Sequence, residues 1–200
     1  GNSQAVACLA QGGPASAPVY LWGPRGVGKT HLLRASLQQR QERGERCGWF
    51  DAASSGGWAL QDEWTALAVD NCDQLDAAGQ AEAFALFELA KAAGMQWLAA
   101  GSLPPVDLPL REDLRTRLGW GLVFALQPPQ EHEVRAALRL EADRRGLFLS
   151  DEVMSYLLTR HARDLSSLMA LLDQLDGFAL TLQRAITVPW KGSMKQMRKM

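Results

Sequence analysis

Eight consecutive residues, Gly23-Pro24-Arg25-Gly26-Val27-Gly28-Lys29-Thr30, have the GxxxxGK[ST] spacing of a phosphate-binding loop. In such a loop the glycines let successive backbone N–H groups turn inward around phosphate oxygens. The helix that follows points its positive end at the same place. Lys29 is then expected to reach the terminal phosphates and the Thr30 hydroxyl to ligate Mg²⁺, with His31 in the same turn. The ligand this chemistry predicts is ADP or ATP with Mg²⁺.

A Mg²⁺–nucleotide site also needs a carboxylate at the end of a neighbouring strand. Asp70 closes the apolar run Ala66-Leu67-Ala68-Val69 and fits that need, although an acid there could also simply cap the strand. The next residue is Asn71. An amide can hydrogen-bond a water but cannot take its proton, so weak or absent intrinsic hydrolysis is expected. Asp73 is close in sequence, but its place after the turn argues against a substitute role. Ser102, after Ala99-Ala100-Gly101, is a candidate contact to the terminal phosphate, and equally a serine opening the turn before Pro104-Pro105. Among the arginines, Arg111 and Arg115 read as one helical face, with Arg117 about 200° from Arg115. Arg117 precedes Leu118-Gly119-Trp120-Gly121, where an exposed guanidinium could reach a nucleotide on an adjacent subunit as an arginine finger. Arg160 and Arg163 are three apart, and either could fold back from a helical region onto the phosphates.

These residues need a scaffold of alternating strands and helices. Apolar runs at 19–22, 47–51, 66–70, 95–101 and 122–126 read as five strands. Helical periodicity over 30–43, 80–93 and 110–118 supplies the covering helices, and a short helix is plausible at 3–9. The Gly- and Ser-bearing stretches at 12–18 and 52–62 read as loops. After Pro128-Pro129 three helical segments follow without a strand, near 131–145, 151–160 and 164–185. Ser150 is an expected N-cap for the second of them. The expected architecture is therefore α/β: a five-stranded parallel sheet sandwiched by helices over 1–127, then a small all-helical lid over 128–200 with a basic tail (Lys191, Lys195, Arg198, Lys199).

Bulk properties restrict the function classes. The 200 residues are 47% apolar, with 21 basic against 22 acidic side chains and a net charge of −1, which gives no global case for binding nucleic acid. No apolar run is long enough for a membrane span. Cys8, Cys47 and Cys72 show no metal-ligand spacing and read as packing thiols of a cytoplasmic protein.

Tyr20-Leu21-Trp22-Gly23 through Gly28-Lys29-Thr30-His31-Leu32-Leu33 resembles the P-loop region of the DnaA branch of AAA+ ATPases. Ser102-Leu103-Pro104-Pro105 and Leu114-Arg115-Thr116-Arg117-Leu118-Gly119-Trp120-Gly121-Leu122 are similar to that branch's sensor-1 and arginine-finger segments, and Arg163-Asp164-Leu165 to its sensor-2 segment. Val69-Asp70-Asn71, together with Leu172-Asp173-Gln174-Leu175-Asp176 and Gln183-Arg184-Ala185-Ile186-Thr187-Val188-Pro189, resembles the Hda family of regulatory inactivators. No helix-turn-helix domain is expected after that ending. The resemblance implies an ADP-bound regulator, associated with the bacterial replisome and nucleoid. Arg117 would trigger hydrolysis of ATP on the DnaA initiator, and Arg163 would contact the chain's own nucleotide. It also implies docking on the DNA polymerase sliding clamp, although nothing in the chain matches a clamp-binding peptide, and it leaves self-association open. An active AAA+ ATPase, such as a helicase loader or initiator fragment, is the alternative, and a small nucleotide kinase the more distant one.

Overall fold

The computed structural model describes residues 2–11, 17–52, 57–160 and 168–173. Five strands, β1 (Val19–Trp22), β2 (Arg46–Asp51), β3 (Trp64–Asp70), β4 (Gln96–Gly101) and β5 (Leu122–Ala125), form one sheet in the order β2-β3-β4-β1-β5. Every pairing is parallel. Parallel strands need crossover helices, which cover both faces and make the strands apolar on both sides.

The two faces are sorted by the period of two along each strand. Val19 and Leu21, Ala66 and Ala68, and Leu98 and Ala100 share one cluster with Ala5 and Leu9 of α1 (Ser3–Ala10) and Leu33 and Leu37 of α2 (Lys29–Glu42). Tyr20, Leu67, Val69, Trp97 and Ala99 face the other way. They pack on Ala83, Leu86, Phe87 and Ala90 of α3 (Ala77–Ala92) and on Leu114 and Leu118 of α4 (Glu112–Leu118). The alanines of β3 and β4 let α2, which carries the phosphate loop, lie close to the sheet. Asp76 caps α3, its carboxylate accepting the Gly79 N–H at 2.8 Å, so that helix starts three residues before the apolar periodicity alone suggests.

The arginine geometry expected of α4 is corrected. Its helix begins at Glu112, and Arg111 is the extended N-cap with ψ 145°. Counting 100° per residue from Arg111 therefore fails. The guanidinium carbons of Arg111 and Arg117 lie 5.6 and 5.9 Å from the Phe84 ring, so these two, rather than Arg111 and Arg115, share a neighbour.

The chain divides into two compact units between Gln127 and Pro128. In the second, α5 (Glu131–Arg144), α6 (Asp151–Arg160) and a helical stretch at 168–173 enclose Val134, Leu138, Met154, Leu157, Leu168 and Leu172. The Ser150 hydroxyl accepts the Val153 N–H at 3.3 Å, the cap its sequence position suggests. No described helix is long and apolar enough to cross a membrane. Cys8 and Cys47 are half-buried and Cys72 is buried; burial pushes all three thiols up, which suits packing roles.

Candidate nucleotide site and arginine edge

β1 delivers the chain to Gly23 at the carboxyl end of the sheet. A β-carbon on Gly23 would stand 2.6 Å from the Leu126 carbonyl oxygen, so only glycine lets the loop pass the end of β5. Val27 is buried and anchors the loop in the core. Gly28 is the N-cap of α2 with φ 99°, a conformation L side chains rarely adopt. From there the 14-residue helix α2 directs its N-terminus, and the positive end of its dipole, into the loop.

Pro24 and Arg25 lie exposed on the rim, Gly26 is half-buried, and His31 is exposed on the first turn of α2. The Lys29 ammonium curls across the loop and donates to the carbonyls of Gly23 (2.7 Å) and Pro24 (2.9 Å). Partial burial holds its pKa below the ordinary lysine value, while Asp70 and Asp73 pull the other way. An ammonium held only by neutral carbonyls beside a helix N-terminus is suited to an anionic ligand.

The Thr30 hydroxyl donates to Asp70 Oδ2 at 2.5 Å. Asp70 is fully buried, and burial raises its pKa against the opposing pull of Thr30 and of the Asn71 N–H. Two hard oxygen donors side by side suit Mg²⁺. No group of three or more His, Cys, Asp or Glu residues forms a metal cage among the described residues, so a cation here would complete its shell with phosphate and water oxygens.

Asn71 follows with φ 55° and is held from two sides. Its N–H donates to Asp70 Oδ1 at 3.0 Å and its Nδ2 to Asp51 Oδ2 at 3.2 Å. Asp51 ends β2 in register with Asp70. It is absent from the sequence-derived site, although its position, an acid closing an apolar run, repeats that of Asp70. Ser102 sits at the end of β4, with its N–H donating to Asp73 Oδ1 (3.0 Å) and its hydroxyl to Asp73 Oδ2 (2.7 Å). Asp73 therefore holds Ser102. The sensor-2 candidate Arg163 and the basic tail lie outside the described residues.

Arg117 is at the opposite edge of the sheet. It precedes β5, whose first residue, Leu122, is in register with Val19, whereas the phosphate loop follows Trp22. The Leu122 N–H donates to the Pro18 carbonyl at 2.8 Å, fixing this corner. Three strand rises separate the two edges by ~10 Å. The Arg117 Nε donates to Glu88 at 2.8 Å, and its guanidinium lies 5.6 Å from the Trp120 ring. Its side chain is 33% exposed, less free than sequence position suggested. Lys91 stands 3.9 Å over the same indole, which is itself exposed. Glu88, Phe84 and Trp120 were not legible as partners of Arg117 because they converge only through the packing of α3 on α4.

Residues 131–194 match the family model described as Hda, lid domain. Domain III of the Thermotoga maritima replication initiation protein DnaA aligns with a TM-score of 0.74 at 21% identity, over 94% of this chain and 88% of that one. AMPPCP-bound DnaA from Aquifex aeolicus aligns with a TM-score of 0.65 at 22% identity, over 100% of this chain and 67% of its own. The Thermotoga maritima RuvB branch migration motor aligns with a TM-score of 0.58 at 17% identity, over 92% of this chain and 63% of its own. At these identities the structural matches show a shared fold: the five-stranded parallel α/β sheet expected from the motifs.

Proposed function

From the premise that the chain is an Hda-like, DnaA-homologous AAA+ protein, we propose that it is a nucleotide-bound regulator of replication initiation that stimulates hydrolysis of ATP held by DnaA. The observation that carries this reading is the position of Arg117 across the sheet from the chain's own phosphate loop. An arginine there is poorly placed to serve its own nucleotide and well placed to serve a neighbour's. On the DnaA nucleotide it would stabilise negative charge on the transferring phosphoryl group, an effect worth ~10³–10⁵ in rate for arginine fingers.

The chain's own nucleotide then acts as a switch. The glycine loop and Lys29 bind the phosphates, and Thr30 and Asp70 would hold Mg²⁺, which when bound neutralises phosphate charge. Asn71 offers no proton acceptor, so the bound nucleotide, ADP or ATP, would persist without turnover. Ser102, held by Asp73, is the proposed contact to the phosphate end, and Arg163 the proposed contact from the lid. The clamp partner follows only from the family likeness and belongs to the same proposal, which leaves self-association open.

The test is a mixed assay containing ATP-loaded DnaA, DNA-bound sliding clamp and this chain. Wild type should accelerate hydrolysis. Arg117→Ala should abolish the acceleration, and Arg117→Lys should not restore it, because an ammonium lacks the planar fork of donors. Equal acceleration by Arg117→Ala would remove Arg117 from this role.

A further inference from the structure

Asn71 bridges two carboxylates. Its main-chain N–H serves Asp70 at 3.0 Å and its side-chain amide serves Asp51 at 3.2 Å. The parallel register of β2 and β3 sets Asp51 beside Asp70 at the same sheet end. The left-handed backbone at position 71 does not by itself choose between Asn and Asp, since both adopt it more readily than other L residues. The donor does choose. Of the two, only the amide can donate a hydrogen bond to the Asp51 carboxylate, whereas a carboxylate at 71 would face Asp51 oxygen to oxygen and add a third negative group beside Asp70.

We propose that Asp51 is a positioning residue that commits position 71 to an amide and thereby keeps this nucleotide site from hydrolysing ATP. The inference rests on the reading that the chain does not turn over its own nucleotide rapidly. It departs from the simplest expectation, that restoring an acid at 71 is enough to create an ATPase. A lone acid there is repelled from the orientation that Asn71 holds. Exchanging both groups keeps the bond with its polarity reversed, Asn at 51 donating to the carboxylate at 71, and leaves the total charge unchanged. In that exchanged variant the carboxylate at 71 takes a proton from water as the water oxygen bonds to the γ-phosphorus. The bond from that phosphorus to the β-phosphate oxygen breaks, giving ADP and phosphate.

Single-turnover hydrolysis of ATP with Mg²⁺ should be measured for wild type, Asn71→Asp, Asp51→Asn and the double exchange, with ATP affinity determined for each by calorimetry. Asn71→Asp alone should stay within about threefold of wild type, and Asp51→Asn likewise. The double exchange should be at least about tenfold faster, a part of the 10²–10⁴ a general base supplies. Asn71→Asp alone matching the double exchange would overturn the proposal, as would a double exchange that binds ATP but is no faster than wild type. Thermal denaturation gives a second readout independent of catalysis. Asn71→Asp should lower the melting temperature and adding Asp51→Asn should recover part of the loss, whereas strictly additive effects would sink the coupling. Rapid turnover by wild type would instead overturn the regulator reading, leaving the comparison of single and double variants to decide the role of Asp51.

Discussion

At the residue scale, the phosphate loop is governed by charge and close approach. Lys29 donates to two loop carbonyls at 2.7 and 2.9 Å, neither of which carries a charge to match its own. A bound phosphate would replace these neutral acceptors with anionic oxygens, so that both partners of each bond carry charge. Lys29→Ala should therefore weaken ADP binding by at least about 100-fold, taking two charged hydrogen bonds at ~1.5–3 kcal/mol each. Calorimetric titration with unchanged affinity would contradict the site. Asp70 supports a prediction of opposite sign for stability. Burial raises its folded pKa, so the unfolded chain gives up this proton first as pH rises. The native state then binds more protons than the unfolded state, and this group's contribution to stability falls from the ordinary aspartate range upward through the raised folded value. The melting temperature of wild type relative to Asp70→Asn, measured without nucleotide, should accordingly decline as pH increases across that window, while Mg²⁺-dependent ADP affinity is lost in the variant. A relative melting temperature that rises with pH would show the carboxylate to be stabilised rather than strained.

At the scale of elements, the corner where α4 meets β5 positions the arginine edge. A β-carbon on Gly121 would lie 1.9 Å from the Pro18 carbonyl oxygen, so Gly121→Ala must move backbone at the start of β1 or β5. Overpacking of this kind costs about 1–3 kcal/mol. The substitution should reduce stimulation of the partner far more than it reduces ADP affinity, because the candidate nucleotide site lies at the other end of β1. Equal losses in both assays would mean that the two edges do not behave separately. This corner also marks the limit of what the sequence discloses. The strand–loop–helix around 19–42 was legible because apolar run, glycines and lysine are contiguous and their spacing has one mechanical reading. Asp70 was legible for the same reason. The Asp51–Asn71 and Asp73–Ser102 pairs were not, because each joins residues 20 or 29 positions apart through strand register that local pattern does not encode. Arg111 was misplaced because the cap sets the start of α4 at Glu112, two residues inside the helical periodicity over 110–118.

At the scale of the whole molecule, one sheet carries a nucleotide loop at its carboxyl edge and an arginine at its amino edge. Under the proposed function, such an arrangement would make contacts with a related protein head to tail, the arginine of one against the phosphates of the next, rather than through one self-complementary patch. If the nucleotide is a switch, its two states must differ in how well they present the amino edge, and linkage makes that relation reciprocal. The factor by which ADP tightens association with ATP-loaded DnaA must equal the factor by which DnaA tightens ADP binding here. Coupling between sites commonly amounts to about 5–150-fold, within reach of titrations run with and without the second ligand. The expected result is matched enhancement in the two directions, with Lys29→Ala abolishing both although Arg117 is intact. Association that is strong and identical with and without ADP would leave the nucleotide as a structural ligand. The switch would then have to be discarded even if Arg117 proved to be the finger.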